Sequence, residues 1–542
     1  MDRVDAEQER MVKHMMNVDF VATKLCHDAG VAYADVATRE LRLVELDRLT
    51  GVPHYGYNTS QPAWPFPQAN SVYRHDVVCA TAYRTWAVAE KILGVHGDTW
   101  LMSPVNTLAD RNAADGADEH DHACAFLSKL TKSNLIRVDH QLAHAYTVAA
   151  DNQMTSGKVV TLDGVGDGCG GVFDVHPDGT LALEKRRLTF SLGELYDRLT
   201  AFFICHGGQP LGKEGTFMAY AGLGKPTAPI VKEWVKICNL LTTKRPWAGL
   251  DVYDKVNAVL ADVVERYDPV DVAATCHKLW VDAAEAYVVT HVDVDQPLGF
   301  AGGSALNCAL NYRLARRWGQ RVCWTPTPGD CGQPLGMIRA ELIQRGTSTA
   351  GWVVRTMPVL DPENVPVVDK HADPDDVAKL LATGQVVAVM RGEIEAGPRA
   401  LGRRSILASP LIACHRERLN RLKGRELFRP FGVMIPRERL RDFTDLDVDL
   451  PWMNVTIPAD DKQLPAAVHA DSTTRVQTVM AADDPWLHAL LTAFGQRTGV
   501  YAVINTSLNT HGRAIFNKVS DTLELLGHGV DAMVVDNKLI EK

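Results

Sequence analysis

The sequence predicts a mixed α/β protein built from more than one domain. Three observations predict it. Apolar, β-branched runs such as KVVTLDG (158–164), QVVAVM (385–390) and AVINTS (502–507) alternate with helical stretches along the chain, the pattern of layered α/β folds. At 542 residues the chain exceeds what one hydrophobic core can organise, so two or three domains are expected. A composition of 46% apolar and 23% charged residues is that of an ordinary globular protein.

The elements follow in chain order. Residues 1–16 read as a polar extension without the apolar core of a signal peptide. The tract ADRNAADGADEHDHA (109–123) reads as a solvated loop, although its EHDH carries metal-ligating side chains. KVVTLDG is a strand ending on Asp163. A helical pattern fits DAAEAYVVTHVDV (282–294). Another fits DDVAKLLATG (375–384), with Asp373 as N-cap, Pro374 at the first helical position and Gly384 as the stop. The proline-rich segment RTMPVLDPENVPVVDKHADPDD (355–376) has little periodicity and marks a boundary. It separates a first domain, 17–355, from a second, 373–542, with a linker over 356–372. The first is long enough for two lobes.

A formal charge of −9 and a pI near 6.1 argue against a general nucleic-acid or anionic-membrane binder. No apolar run approaches the ~20 residues that cross a bilayer. Eleven scattered cysteines without a CxxC pair fit a reduced, cytoplasmic protein.

Two constellations carry chemistry. In HQLAH (140–144), His140 and His144 are four residues apart, on one face of a helix. The pair alone is weak evidence for a metal. Asp163 strengthens it, because ligands of α/β folds collect at the carboxyl ends of strands. Glycines follow it, among them Gly164, Gly166, Gly168, Gly170 and Gly171, and allow backbone N–H groups to approach an anion. GFAGGSALNCALN (299–311) repeats the theme as a strand end, a Gly-Gly turn and a helix start. TPGDCGQPLG (327–336) places Asp330 in a tight loop. Two nitrogens and two oxygens from His140, His144, Asp163 and Asp330 suit Fe(II), Zn(II) or Mn(II). Such an ion would polarise a carbonyl or phosphoryl oxygen.

The second constellation is cationic. RGEIEAGPRALGRRSILASP (391–410) and RERLNRLKGRELFRPFGVMIPRERLRD (416–442) mix arginines with glycine, proline and apolar residues. Arg416, Arg418 and Arg439 are expected at the surface. Arg399 in GPRALG and Arg429 in FRPF are constrained guanidiniums able to present paired donors to phosphate, with Lys423 as a point charge. Arg475 precedes an alternating strand. Asn505, Thr506, Ser507 and Asn509 end another, where such side chains bind an amide or phosphate or cap a turn.

The motif order HDAG (27–30), HQLAH, LDGVGDG (162–168), GGSALN (302–307) and GDCGQPLG (329–336) resembles the O-carbamoyltransferases of the NodU/CmcH family. Those enzymes act on antibiotics, including aminoglycosides and cephalosporins, and on Nod factors. The resemblance implies an N-terminal Kae1-like domain, an actin-like ATPase fold with duplicated α/β lobes. It implies that His140, His144, Asp163 and Asp330 bind Fe(II), and that Gly164, Gly166, Gly302, Gly303, Ser304 and Asn307 lie at nucleotide. His27 is then the general base at the acceptor hydroxyl; read from the residues alone it is equally a strand-end histidine holding a loop. GPRALGRRS, KGRELFRPF, RVQTV and NTSLN resemble the same family's C-terminal, YrdC-like twisted sheet. There Arg399, Lys423, Arg429, Arg475 and Ser507 would bind carbamoyl phosphate. ATP, with Mg(II), would yield a carbamoyl-adenylate whose carbamoyl group passes to a small-molecule alcohol.

Two stretches depart from the family pattern. VELDRLTGVPH (44–54) carries Gly51, Val52 and Pro53 where basic residues are expected, and KGRELFRPF carries Leu427 where proline is common. Lys213 and Glu214, in GKEGTFMAYAGLGK, are nucleotide or acceptor contacts or surface residues. Two other activities share these domain types. A threonylcarbamoyl-adenosine synthase acting on tRNA would retain tRNA, and a non-catalytic ATP-binding regulator would make no AMP.

Overall fold

The computed structural model describes residues 20–24, 28, 30–51, 53, 100–105, 134–164, 170–186, 191–206, 212–242 and 250–541. Within them three sheets and their flanking helices form the mixed α/β architecture.

The first sheet has six strands in the order Val353–Arg355, Glu40–Glu45, Gly30–Asp35, Phe20–Lys24, Trp100–Val105, Asn134–Asp139. GVAYAD, at Gly30–Asp35, is buried along its whole length, which suits a central strand covered on both faces. The second has five, in the order Val322–Cys323, Leu298–Ala301, Lys158–Leu162, Gly170–Val175, Leu181–Arg186. Between these sheets, helix His140–Asp151 packs on helix Gln333–Gln344. Their approach is close because the contact residues are small: a Cβ on Gly336 would stand 1.9 Å from the Ala143 carbonyl oxygen.

A helical layer covers the second sheet. In it, Trp280 is buried and donates from its indole to the Leu192 carbonyl at 2.6 Å. The helical pattern read over 282–294 covers the second half of a longer helix, Pro269–His291, and overruns its end, where Val292 is already extended. Its start is the Asp268 N-cap, accepting from Val270 N–H, with Pro269 next. Alternating buried and exposed residues reveal only the later turns, while the cap-and-proline signal fixes the beginning.

The third sheet has eight strands, in the order Val455–Pro458, Thr473–Val479, Gly432–Pro436, Val503–Ser507, Arg404–Ala408, Val387–Met390, Ala532–Val535, Lys538–Glu541. Helices Pro374–Ala382 and Pro485–Thr498 cover one face with Val377, Leu381, Leu490 and Phe494. The first begins as its sequence indicates, with Asp373 accepting from Asp375 N–H. Segment 356–372 lies along this unit: Leu360 N–H donates to Asn517 O and Ala372 N–H to Asn537 O, both at 2.8 Å. No described helix is long and apolar enough to cross a membrane.

Candidate functional site

The first constellation closes in space. Asp139 caps helix His140–Asp151 by accepting from Leu142 N–H, which sets His140 in the first turn and His144 one turn on. Asp163 follows strand Lys158–Leu162, and Asp330 opens the turn Asp330–Gly332. Asp163 Oδ2 is 3.0 Å from Nε2 of both histidines. Asp330 Oδ1 is 3.3 Å from His144 Nε2 and 3.7 Å from His140 Nε2. One donor atom from each of the four residues falls within 4.8 Å of all the others. Two imidazoles and two carboxylates facing one point are the donor chemistry of a divalent cation, so these residues fit the metal that the motifs imply.

Neighbours fix the ligands. Asp163 Oδ1 accepts from Gly164 N–H at 2.8 Å and Gly303 N–H at 3.2 Å, which turns Oδ2 toward the histidines. Ser191 donates to the Gly164 carbonyl at 2.7 Å and holds the strand-end turn. Thr147, on the histidine helix, donates to Gly332 O at 3.1 Å and ties the Asp330 turn to that helix. Lys24, almost fully buried, is ion-paired with Asp330 Oδ2. Burial would depress the His144 imidazole, but its bonds to Asp163 and Asp330 prevail and raise it to about 9. Lys24 was not apparent from the sequence, because its strand lies 306 positions from Asp330.

The glycine segments meet the same place. Gly302 has φ of +89°, and a Cβ there would stand 2.3 Å from Leu162 O, so no other residue fits the turn beside Asp163. Asn307 caps helix Cys308–Trp318 through Oδ1. Its Nδ2 and the Ser304 hydroxyl are buried without hydrogen-bond partners. His27 and Gly166 lie outside the described residues, as do His54 and the tract 109–123.

The second constellation also assembles. Lys423 ends helix Cys414–Leu422 and donates to Ser507 Oγ at 2.9 Å. Burial first, then the like charges of Arg475 and Arg429, push the Arg399 guanidinium down to about 10, against the opposing influence of Cys308 and Glu214. Burial, with Arg425 and Arg429, holds the Lys423 ammonium well below the usual lysine range. Arg425, which the sequence reading passed over, belongs here too: it stacks 4.4 Å over Phe431 and donates to Asn420 Oδ1 at 2.6 Å. The guanidinium Nε atoms of Arg399 and Arg475 are buried and have no partner. Clustered, largely desolvated cations with orphaned buried donors are costly unless an anion completes them. Arg416, Arg418 and Arg439 are partly exposed at the surface, each with a partner: Val468 O, Asp531 and the Tyr501 ring. Leu427 lines an open cavity of about 1210 Å³ together with Leu223, Phe428, Phe443 and His469.

The two constellations adjoin. The Arg399 guanidinium is within electrostatic reach of Glu214 and of the Cys308 side chain in the N-terminal part. Helix Cys308–Trp318 abuts strand Val455–Pro458, with Thr456 donating to Cys308 O at 3.2 Å. A second contact lies at Gly397. Its N–H donates to Glu45 Oε2 at 3.1 Å, and its carbonyl accepts from Arg48 Nη2 at 2.7 Å. Burial, opposed by Arg48, raises the Glu45 carboxyl to about 7. Thus Glu45 and Arg48 of the VELDRLT stretch grip one residue of the arginine loop, two positions before Arg399.

The chain matches two family models, carbamoyltransferase N-terminus over residues 81–338 and carbamoyltransferase C-terminus over 378–542. An uncharacterised protein of Methanocaldococcus jannaschii is 25% identical, covering 95% of this chain and 98% of that one. Nodulation protein NolNO of Sinorhizobium fredii is 29% identical over 77% of this chain and 65% of its own length. The 3'-hydroxymethylcephem-O-carbamoyltransferase of Amycolatopsis lactamdurans is 35% identical over 44% of this chain, and the match spans about half (48%) of that enzyme. With both halves of the chain matched in order, the chain belongs to the carbamoyltransferase family.

Proposed function

We propose that the protein is an ATP-dependent O-carbamoyltransferase that uses carbamoyl phosphate to carbamoylate a hydroxyl of a small molecule, of the secondary-metabolite or antibiotic kind. One observation carries this reading: Arg399 and Arg475 stand in a cluster of cations that borders the N-terminal part, and each keeps a buried Nε without a hydrogen-bond partner. A phosphate group matches both the charge and the missing acceptors.

In the proposed sequence, Arg399, Lys423, Arg425, Arg429 and Arg475 hold carbamoyl phosphate away from bulk water. Water releases its phosphate, and the carbamate oxygen attacks the α-phosphorus of Mg(II)-ATP, expelling pyrophosphate. The same cations, Arg429 foremost, offset the charge that develops on the transferring groups. The carbamoyl-adenylate then moves to the N-terminal domain, of actin-like, Kae1-like type; the arginine domain is of YrdC-like type. Ser304 and Asn307, with free polar atoms near the turn at Gly302, face its nucleotide. His27 takes the acceptor proton as the alcohol oxygen bonds to the carbamoyl carbon and AMP leaves. His140, His144, Asp163 and Asp330 would hold Fe(II), with Zn(II) or Mn(II) also suited; bound there, the ion supplies Lewis-acid polarisation of a carbonyl oxygen.

The test is incubation with carbamoyl phosphate, ATP and a panel of sugar, nucleoside, macrocyclic and cephem alcohols. The expected result is AMP together with a carbamate ester of one class. AMP formed only with threonine, bicarbonate and tRNA, or ATP binding without AMP, would replace this reading.

A further inference from the structure

We propose that Gln333 is a fifth protein ligand of the metal centre, giving its amide oxygen to the cation held by His140, His144, Asp163 and Asp330. The inference rests on the metal reading above. Gln333 opens helix Gln333–Gln344 three residues after Asp330 and is fully buried. Its carboxamide lies inside the ligand cluster. Nε2 is 2.8 Å from His140 Nε2, 3.0 Å from His144 Nε2 and 3.2 Å from Asp330 Oδ1. These three atoms are ligand atoms of the proposed centre, so the carboxamide stands at the point the ligand set faces. At its other end, Oε1 is buried without a hydrogen-bond partner. An oxygen left so keeps its desolvation cost without a compensating bond.

The two ends of a carboxamide have nearly the same shape, and their surroundings decide which is which. Asp330 Oδ1 favours an N–H group facing it, whereas the two ring nitrogens already donate to Asp163 Oδ2. Once a cation replaces those ring protons, the same place favours an oxygen. A half-turn about the last side-chain bond exchanges the ends.

The carboxylates argue for the same count. Asp163 commits Oδ1 to the amides of Gly164 and Gly303 and turns Oδ2 to the histidines. Asp330 commits Oδ2 to Lys24 and turns Oδ1 inward. The four residues thus offer two nitrogens and two oxygens, one atom each, which on its own is the count of a four-coordinate zinc site. Gln333 makes the set two nitrogens and three oxygens. That favours Fe(II) or Mn(II) in a six-coordinate arrangement, with one position left for an exchangeable ligand.

The experiment titrates the full-length, metal-free protein with Co(II), whose visible bands strengthen as coordination number falls. The wild type is expected to show the weak bands of a five- or six-coordinate ion. Gln333→Leu should give stronger bands and bind Co(II) about 10–100-fold more weakly, the scale on which even an outer partner of a metal is felt. Gln333→Asn, which stays polar but withdraws the oxygen by one methylene, should shift both readouts the same way, and Gln333→Glu should restore affinity. Circular dichroism of the metal-free variants checks the fold; if Gln333→Leu does not fold, Gln333→Asn decides. Wild-type bands and affinity in the Leu and Asn variants would overturn the inference and leave the metal centre standing. A wild type that takes up no Co(II) would remove the metal reading itself, and this inference with it.

Discussion

Arg475→Met is expected to stabilise the ligand-free protein and to destroy its response to phosphate. The stabilisation follows from like charge. Arg475 is among the neighbours that depress the Arg399 guanidinium, and it also acts on Arg425 and Arg429. Removing one half-buried cation from such a group should contribute on the order of 1 kcal/mol at neutral pH. Methionine keeps much of the stem's volume. In the wild type, inorganic phosphate at about 100 times its Kd should raise stability by about 2.7 kcal/mol. The variant should gain far less. Carbamoyl-phosphate-dependent pyrophosphate release should fall by about 10²–10³, the usual loss when one preorganised donor to a developing anion is removed. Denaturant unfolding with and without phosphate, beside a pyrophosphate assay, measures both effects. A variant less stable than the wild type without phosphate, or equally protected by it, would contradict a cluster that waits for an anion.

Gly397→Ala is expected to weaken both sites at once. Gly397 has φ of +89°, and a Cβ there would stand 2.0 Å from Pro326 O and 2.8 Å from Pro326 C. Those atoms are backbone and cannot swing aside. Backbone strain of order 1–3 kcal/mol adds to overpacking of order 1–3 kcal/mol. The clash pushes two segments apart. One is the Gly397–Arg399 stretch, gripped by Glu45 and Arg48; the other is Pro326–Thr327, which leads into the Asp330 turn. Phosphate protection and Co(II) affinity should therefore both fall, each by tenfold or more. Gly392→Ala is the control. Its φ is +52° with nothing within 4 Å of an added Cβ, so it carries backbone strain alone and should retain both affinities. Loss at one site only in Gly397→Ala would mean that this junction does not couple the arginine loop to the Asp330 turn.

Much of both constellations could be read from the sequence, for a local reason. His140 and His144 share a face by helical period. Asp163 ends a β-branched run, and Asp330 sits in a glycine turn. Each signal spans only a few residues. What stayed hidden depends on segments far apart in the chain. Lys24 reaches Asp330 from another strand of the same lobe, and the Glu45–Arg48 grip on Gly397 spans about 350 positions. Arg425 looked like one more solvated charge until Phe431 and Asn420 closed around it. Gln333 lay within a quoted motif, yet its neighbours on the histidine helix are some 190 residues earlier. The glycines illustrate mixed signals. Gly302 and Gly303 were read as nucleotide contacts, and in the fold they also clear the Leu162 backbone and orient Asp163. The start of helix Pro269–His291 is a different miss, since its Asp268 cap and Pro269 are local signals that the helical pattern over 282–294 did not reach.

The central claim is that the arginine cluster activates the carbamoyl group and the histidine–aspartate centre transfers it. Following pyrophosphate release and carbamate ester in parallel, in Arg429→Ala and His140→Ala proteins, tests it most directly. The account predicts that Arg429→Ala loses both signals, whereas His140→Ala keeps releasing pyrophosphate and loses the ester. Equal loss of both signals in both proteins would contradict the division of labour between the two sites.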